Sequence, residues 1–167
     1  MVATQNPHEQ LGTFALPESQ LDRFLMRVVL GYPDAAHERE LLRGGDRREL
    51  LPSIAPVLGA DGVLALQRAV RGLYVADALL DYAQALIVRT RAASDLKLGL
   101  SPRAGQGLIR AAQAWCFLDG RSAVLPEDLQ AVLPSVVAHR LERRDPAERA
   151  DGADVAAEII RAVPGPP

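Results

Sequence analysis

An arginine at the start of a predicted helix is the residue of this sequence best suited to bind a phosphate. Ser101 and Pro102 are typical of the N-cap and first position of a helix, so Arg103 would stand in the first turn. A cation there faces the positive end of the helix dipole, which costs roughly several tenths of a kcal/mol unless an anion is bound. Steps of three and four residues place four polar side chains on one face of that helix: Arg103, Gln106, Arg110 and Gln113. This stripe predicts either a phosphate site or an ordinary solvated helix face.

Two polar residues near the start of the chain could also act on a phosphate. Asn6 follows a short predicted strand and precedes a proline, where its amide could orient a water or a phosphate oxygen, or simply form a turn. Arg23 lies where a short helix meets a predicted strand. A guanidinium held at such a junction could stabilise charge on a phosphoryl group bound by a neighbouring subunit. The alternative is a salt bridge from Arg23 to Glu18 or Asp22.

The first 32 residues have the pattern of the end of an α/β unit. Val2 to Thr4 could close a short strand, and Pro17 starts a one-turn helix that runs to about Asp22. A buried strand is predicted from alternate apolar residues, which are Phe24, Met26, Val28 and Leu30. Two strand pieces cannot form a sheet, so this interpretation predicts that the partner strands are missing from this chain or come from another molecule.

From residue 33 onward the periodicity is helical. Helices are predicted over about 34–43, 61–73, 75–93, 101–120, from 126 onward with a kink at Pro134, and over about 155–161. The buried stripe predicted for the fourth of these helices is Leu108, Ile109, Ala112, Trp115 and Cys116. The fold class is therefore mainly α. The basic run from Arg140 to Arg144 includes an acid and is interpreted as a solvated helix end.

Composition limits the possible functions. A length of 167 residues suits one medium domain, or a small domain with part of another. The net charge of −2 argues against a general nucleic-acid binder. Cys116 is the only cysteine, which excludes an intrachain disulfide and favours a reducing, cytoplasmic location; no signal or membrane-spanning segment is recognised. The histidines lack metal-ligand spacing, so no metal site is predicted.

Several motifs together resemble the MoxR family of AAA+ ATPases. They are A-T-Q-N-P from Ala3 to Pro7, L-P-E-S-Q-L-D-R-F from Leu16 to Phe24, and G-L-S-P-R-A from Gly99 to Ala104. Shorter matches follow at residues 126–128, 139–141 and 158–164. The resemblance implies that Asn6 is the sensor 1 residue, Arg23 the finger that acts on a neighbour's nucleotide, and Arg103 the sensor 2 residue of a helical lid. His8 and Leu11 depart from the family pattern beside Asn6 without replacing a phosphate-contacting residue.

The resemblance also implies an organisation and an activity. Residues 1–32 would be the strand-turn-helix-strand end of the α/β P-loop core, and residues 33–167 the helical AAA+ lid with a C-terminal tail. The family couples ATP and Mg²⁺ to chaperone-like remodelling of partner proteins, in homo-oligomeric rings expected to be hexamers. Proteins with a von Willebrand factor A domain are partners that the resemblance suggests. The spacing of the polar stripe, and not the resemblance, predicts that Arg110 joins Arg103 in contacting the nucleotide.

The phosphate-binding motifs of an ATPase are not found in the sequence. A Walker A loop reads G-x-x-x-x-G-K-[ST], and the single lysine, Lys97, is followed by Leu98 with no such loop before it. No Walker B strand precedes Asn6. We therefore expect a C-terminal half of a MoxR-type ATPase that binds nucleotide weakly at most and does not hydrolyse it alone. The alternatives are a standalone helical module that associates with a homologous ATPase ring, and, less favoured, a helical nucleic-acid binder that uses Arg103 and Arg110.

Overall fold

The computed structural model describes residues 2–5, 16–44, 51–145 and 152–166. Over these ranges the chain is mainly helical, as predicted. The helices are α1 (Glu18–Leu21), α2 (Ala35–Arg43), α3 (Ala60–Arg71), α4 (Asp77–Ala92), α5 (Pro102–Leu118), α6 (Pro126–Val137) and α7 (Gly152–Ala162). Two isolated bridges, Tyr74 with Ala123 and Leu96 with Arg143, are the only β pairing within the described ranges. None of the helices described combines the length and apolar character needed to cross a membrane.

Helices α4 to α7 form a bundle around a hydrophobic core. Helix α6 packs against α5 and α7, and α4 contacts all three. The apolar faces of α4 and α6 are buried in this core, with Leu86, Leu129 and Leu133 fully enclosed. Gly105 of α5 faces the Ile87 side chain of α4, whose Cδ1 would have to shift if a Cβ were added at this position, since the two atoms would lie 2.6 Å apart. We call α4 to α7 the bundle.

The start of α5 is fixed by polar contacts with the end of α4. The Thr90 hydroxyl donates to the carbonyl of Ile87 at 2.7 Å and accepts from the amide of Leu100 at 3.0 Å. Nε of Arg91 donates to the carbonyl of Leu100 at 2.9 Å. These bonds satisfy a buried hydroxyl and hold the residue before Ser101, so the position of the α5 N-terminus is determined by the bundle.

Two predictions for α5 are wrong. Trp115 was predicted to be buried and is 48% exposed, because it lies near the end of the helix, where its neighbours cover only part of the indole. Gln113 was placed on the polar face and is buried. Its side-chain amide donates to the carbonyl of Leu73 at 3.1 Å, since the connection between α3 and α4 passes over this side of α5.

The residues before the bundle, 16–44 and 51–71, form what we call the arm. Helices α1, α2 and α3 contain no buried residue, and α2 contacts no other described helix. The predicted one-turn helix is present as α1, and Asp34 caps α2 by accepting from the amides of Ala36 and His37. Helix α3 packs against α5.

The strand predicted over Phe24 to Leu30 does not form. This segment has no regular secondary structure, and Val2 to Thr4 has none either. A strand is stabilised by hydrogen bonds to a partner strand, and the described residues supply none. The amide of Arg27 instead donates to the carbonyl of Ser135 on α6 at 2.9 Å. The domain boundary at residue 32 stays a prediction.

Candidate functional site

A cleft of about 650 Å³ lies where the arm meets α5. Its wall includes five arginines, which are Arg23, Arg71, Arg103, Arg110 and Arg140. Asp22 is the one carboxylate among the lining residues. The cleft is therefore strongly cationic, although the whole chain carries a formal net charge of −2.

Arg103 stands in the first turn of α5, as the sequence predicts. Ser101 is the N-cap, and its hydroxyl accepts from the amide of Ala104 at 3.1 Å. Pro102 follows as the first helical residue, and the first turn contains no acidic residue. The guanidinium of Arg103 and the positive end of the α5 dipole thus lie at the same corner of the cleft, where both favour an anion.

The polar stripe of α5 faces the cleft along its whole length. Gln106, Arg110 and Gln113 line the cleft together with Arg103. Gln113 is held by its bond to Leu73, whereas Arg103 and Arg110 are exposed. Two cations seven residues apart, or about two helical turns, therefore share one wall, an arrangement that can contact more than one phosphate.

Arg23 enters the cleft from the arm. It follows α1, is exposed, and forms no ion pair with any residue that the structure describes, so the salt bridge to Glu18 or Asp22 is not formed. The carboxylate of Asp22 is bound by Arg140 and Ser101 instead. The structure thus brings Arg23, Arg103 and Arg110 to one cleft. Asn6 lies outside the described residues.

Arg71 is a cleft residue that sequence reasoning missed. It is the last residue of α3, where a basic side chain is ordinarily explained by the negative end of the helix dipole. The packing of α3 on α5 brings it to the cleft. The available signal was the pair Arg68 and Arg71 in the last turn of α3, but nothing local distinguishes this pair from a solvated helix end.

The interpretation of Arg140 to Arg144 as a solvated helix end is wrong. The Arg140 side chain is 5% exposed and lies against the arm. Its Nε donates to Oδ1 of Asp22 at 3.0 Å, and its terminal nitrogens donate to backbone carbonyls of the arm and of Val136. Arg143 pairs with Asp95 and Glu158. These arginines join separate elements and do not form a free basic surface.

His139 makes a second contact between the bundle and the arm. Its Nε2 lies 3.0 Å from the carbonyl of Phe24, which a neutral ring protonated at Nε2 satisfies as a donor. Burial lowers the pKa of His139, and the nearby charges of Arg140 and Arg27 lower it further, against the bond to Phe24. The imidazole is therefore held in its neutral form at neutral pH.

The chemistry of the cleft suits the phosphates of a nucleotide. Guanidinium groups bind phosphate oxygens in pairs of hydrogen bonds, and a helix N-terminus adds amide donors. Among the described residues there is no group of three His, Cys, Asp or Glu side chains that could hold a metal ion. The contacts that the described lining offers a nucleotide are therefore mainly to its phosphates.

Two family models match the sequence. The model described as the ATPase family associated with various cellular activities (AAA) matches residues 1–26, and the model of the AAA lid domain matches residues 88–161. The first match contains Arg23, and the second contains Arg103 and Arg110. The cleft therefore lies between the parts of the chain that the two models recognise.

Named relatives agree with these models. Chaperone MoxR1 of Mycobacterium tuberculosis is 37% identical over 151 residues, covering 84% of this chain and 39% of the relative. Protein MoxR of Paracoccus denitrificans is 36% identical over 160 residues, covering 83% and 47%. The uncharacterized protein YeaC of Bacillus subtilis is 36% identical over 141 residues, covering 84% and 44%.

A solved structure has the same fold. The crystal structure of a protein from Cytophaga hutchinsonii, assigned as an ATPase, matches with a TM-score of 0.83 and 31% identity, covering 96% of this chain and 52% of that one. The chain spans about half the length of the proteins it matches, or less. Together with the motifs around Arg23 and Arg103, these matches show that the chain belongs to the MoxR family of AAA+ ATPases.

Proposed function

We propose that this chain forms the arginine-lined lid side of an ATP site in a MoxR-type AAA+ ATPase that remodels partner proteins in a chaperone-like way. One observation carries the proposal: Arg23, Arg103 and Arg110 line one cleft although 80 residues of sequence separate the first two. Arg103 would sense the nucleotide as sensor 2, and Arg110 would contact a phosphate. In an assembled ring Arg23 would act on a neighbour's nucleotide, whereas in the isolated chain it lines the same cleft as Arg103 and would contact the same polyphosphate. Asn6 is proposed as sensor 1.

The charges of the cleft support an anionic ligand. Arg23, Arg71, Arg103 and Arg110 have no ion pair among the described residues, and Asp22 is already bound by Arg140. Four guanidinium groups around one cleft repel one another, and a polyphosphate would relieve that repulsion while accepting several charge-assisted hydrogen bonds. The lining therefore favours a ligand with several negative charges over a neutral one.

We propose that the isolated chain does not turn over ATP. Hydrolysis by P-loop ATPases needs a lysine and backbone amides around the β- and γ-phosphates, and a metal ion to bridge them. The single lysine, Lys97, forms a surface ion pair with Glu142 at 2.6 Å and does not line the cleft. The complete site would need a Walker A and B core in the same assembly.

The proposal includes an assembly and a location. Arg23 is exposed and without an ion pair in the described structure, as a residue that acts on a neighbouring subunit requires, which supports a homo-oligomeric ring, taken to be a hexamer. A partner with a von Willebrand factor A domain and a cytoplasmic location rest on the family resemblance and on the single cysteine. Nucleic acid is not proposed as a ligand.

The standalone interaction module remains the second candidate. The segment after Phe24 exposes apolar side chains, with Val28 67%, Val29 73% and Leu30 90% exposed. Apolar side chains next to each other on a surface favour contact with another protein. In this reading the chain would associate with a homologous ring without contributing to hydrolysis.

Binding of ATP and inorganic tripolyphosphate by the purified chain, followed by NMR or calorimetry, tests the proposal. We expect weak binding that Arg103→Ala reduces by about tenfold, equivalent to about 1.4 kcal/mol. Arg89→Ala, which removes an exposed arginine of α4 that does not line the cleft, is the matched control and should leave binding unchanged.

Three results would overturn parts of the proposal. If the chain binds neither ligand, or if Arg103→Ala and Arg89→Ala have equal effects, the cleft is not a phosphate site. ATP turnover by the chain alone that Arg103→Ala abolishes would show that the site is complete without a separate Walker core.

A further inference from the structure

Asp22 joins the two segments that carry the arginines of the cleft. The Ser101 hydroxyl lies 2.9 and 3.1 Å from the two carboxylate oxygens of Asp22, and Nε of Arg140 lies 3.0 Å from Oδ1. Asp22 immediately precedes Arg23 in the arm, and Ser101 stands two residues before Arg103 in the bundle. We call Arg140, Asp22 and Ser101 the Asp22 junction.

Ser101 has two roles in this junction. As the N-cap of α5, its oxygen accepts from the amide of Ala104 at 3.1 Å. A hydroxyl has one proton to donate, and Asp22 accepts it. The carboxylate that binds Arg140 therefore also orients the cap of the helix that presents Arg103.

Arg140 holds the backbone on both sides of Arg23. Its terminal nitrogens donate to the carbonyl of Asp22 at 3.2 Å and to that of Phe24. The same guanidinium donates to Leu25 at 3.0 Å and to Val136, at the end of α6. Counting the bond from Nε, five hydrogen bonds use the five N–H groups of the side chain.

This use of donors distinguishes Arg140 from the other arginines of the cleft. All its N–H groups are already bonded to protein, and its side chain is 5% exposed. Arg23, Arg103 and Arg110 are exposed and have no ion pair among the described residues. Arg140 therefore lacks a free donor for a ligand, whereas its contacts fix the residues that carry free donors.

We propose that Arg140 is a positioning residue, which through Asp22 and Ser101 holds Arg23 at a fixed separation from Arg103 across the cleft. The arm needs this support because α1 contains no buried residue. The expected effect of the junction on nucleotide binding rests on the proposed function, whereas its expected effect on the distance between arm and bundle does not.

Lysine cannot replace Arg140 in this role. It keeps the charge, but its three donors radiate from one nitrogen and do not form the planar fork that reaches a carboxylate and several carbonyls together. Arg140→Lys should therefore release the arm from the bundle while the bundle stays folded. Arg143→Lys is the matched control, because Arg143 is a similarly covered arginine of the same segment that binds Asp95 and Glu158, away from the cleft.

The distance between arm and bundle can be measured with spin labels on the full chain. In a Cys116→Ala background, nitroxides attached at Ser19→Cys on α1 and Gln84→Cys on α4 report the separation, and both positions are exposed. We expect one narrow distance distribution that broadens in Arg140→Lys and is unchanged in Arg143→Lys. Asp22→Asn, which removes the shared charge but keeps the shape, should broaden it too.

A distribution that stays narrow in both Arg140→Lys and Asp22→Asn would overturn the proposal. Urea unfolding of each variant shows whether the bundle is intact. If Arg140→Lys does not fold, the distance distribution of Asp22→Asn alone decides between the outcomes. A broadened distribution in the Arg143→Lys control would also overturn it, because the effect would not be specific to the junction.

The affinity of the chain for inorganic tripolyphosphate tests the functional consequence of the junction. Arg140→Lys should weaken binding several-fold in the otherwise unchanged chain and have little further effect when Arg23 is already alanine, because it acts through Arg23. Equal effects in both backgrounds would show that Arg140 does not act through Arg23. If the unchanged chain does not bind tripolyphosphate, the proposed function fails, while the spin-label distances still decide whether the junction positions the arm.

Discussion

The arm and the bundle are stabilised by different interactions. In the described structure, every buried hydrophobic residue lies at Leu79 or later, within the bundle, the segments that connect its helices, or at Val163 just after α7. The arm contains none. It is attached through polar contacts with Arg140, His139, Ser101 and the carbonyl of Ser135, and through the packing of α3 on α5. Burial of apolar surface is the dominant favourable term in folding, so the bundle should account for most of the stability of the chain.

The cleft takes its arginines from both regions. The bundle supplies Arg103 and Arg110 on a rigid helix, whereas the arm supplies Arg23 and Arg71 from a region with no core of its own. Segments with few buried contacts open at low free-energy cost. Because polar contacts and not a core hold the arm, release of the Asp22 junction would change the shape of the cleft without unfolding of the bundle.

The largest change in the free energy of unfolding is expected from a substitution in the core of the bundle. Leu133→Ala should lower the free energy of unfolding by about 2–5 kcal/mol, because Leu133 is fully buried in α6 and its removal leaves a cavity. Leu42→Ala on α2, where the leucine is 83% exposed, should change it by less than about 0.5 kcal/mol. Urea unfolding gives both values. Similar losses in the two variants would show that the arm has a core of its own.

A buried ion pair of the bundle should have the next largest effect. Asp128 is 1% exposed; burial opposes its ionisation, but hydrogen bonds from Arg121 and from the amide of Leu125 outweigh this and lower its pKa. Asp128→Asn should cost about 1–3 kcal/mol in urea unfolding at pH 7. Because the folded-state pKa is depressed, the stabilisation is present above the unfolded value of 3.8 and is lost as pH falls through the lowered pKa.

The control for the ion pair is on the same arginine. Asp119 also pairs with Arg121 but is 64% exposed, so Asp119→Asn should change the free energy of unfolding by less than about 0.5 kcal/mol. A loss from Asp119→Asn as large as that from Asp128→Asn would contradict the assignment of this stabilisation to the buried carboxylate.

A pH dependence should arise at the contact between the two regions. His139 is neutral when folded because burial lowers its pKa below the ordinary value of 6.5. Between the lowered pKa and 6.5 the unfolded chain binds a proton that the folded chain does not, so stability decreases as pH falls below 6.5. Urea unfolding at several pH values should show this decrease, and His139→Gln should reduce it. His37→Gln, at a histidine 72% exposed, should leave it unchanged.

The bundle could be predicted from sequence because its signals are local. Apolar residues at three- and four-residue steps predict the buried stripes of α4 and α6, and Pro102 and Pro126 mark where α5 and α6 begin. The one-turn helix and the capped α2 of the arm were predicted for the same reason. Each of these features depends on residues within a few positions of one another.

The missed features depend on contacts between distant residues. Arg140 binds Asp22 across 118 positions, so a local pattern could indicate only a basic helix end. Arg71 reaches the cleft because α3 packs on α5, and Phe24 to Leu30 form no strand because strand structure depends on a partner. Of the candidate site, Arg23, Arg103 and Arg110 were identified by motif and spacing, whereas their separation across the cleft depends on the fold.

The smallest expected effect tests whether the cleft is arranged for binding at the expense of stability. Arg103 faces the positive end of the α5 dipole, and no acidic residue of the first turn compensates it. Arg103→Glu should therefore raise the free energy of unfolding by about 0.3–1 kcal/mol, since a carboxylate at a helix N-terminus is stabilising. The same change should abolish binding of tripolyphosphate. Arg103→Gln should be intermediate between the unchanged chain and Arg103→Glu, both in the free energy of unfolding and in tripolyphosphate affinity. A destabilised Arg103→Glu variant would show that the arginine supports the fold, whereas a gain in stability with loss of binding is expected of a residue kept for its ligand.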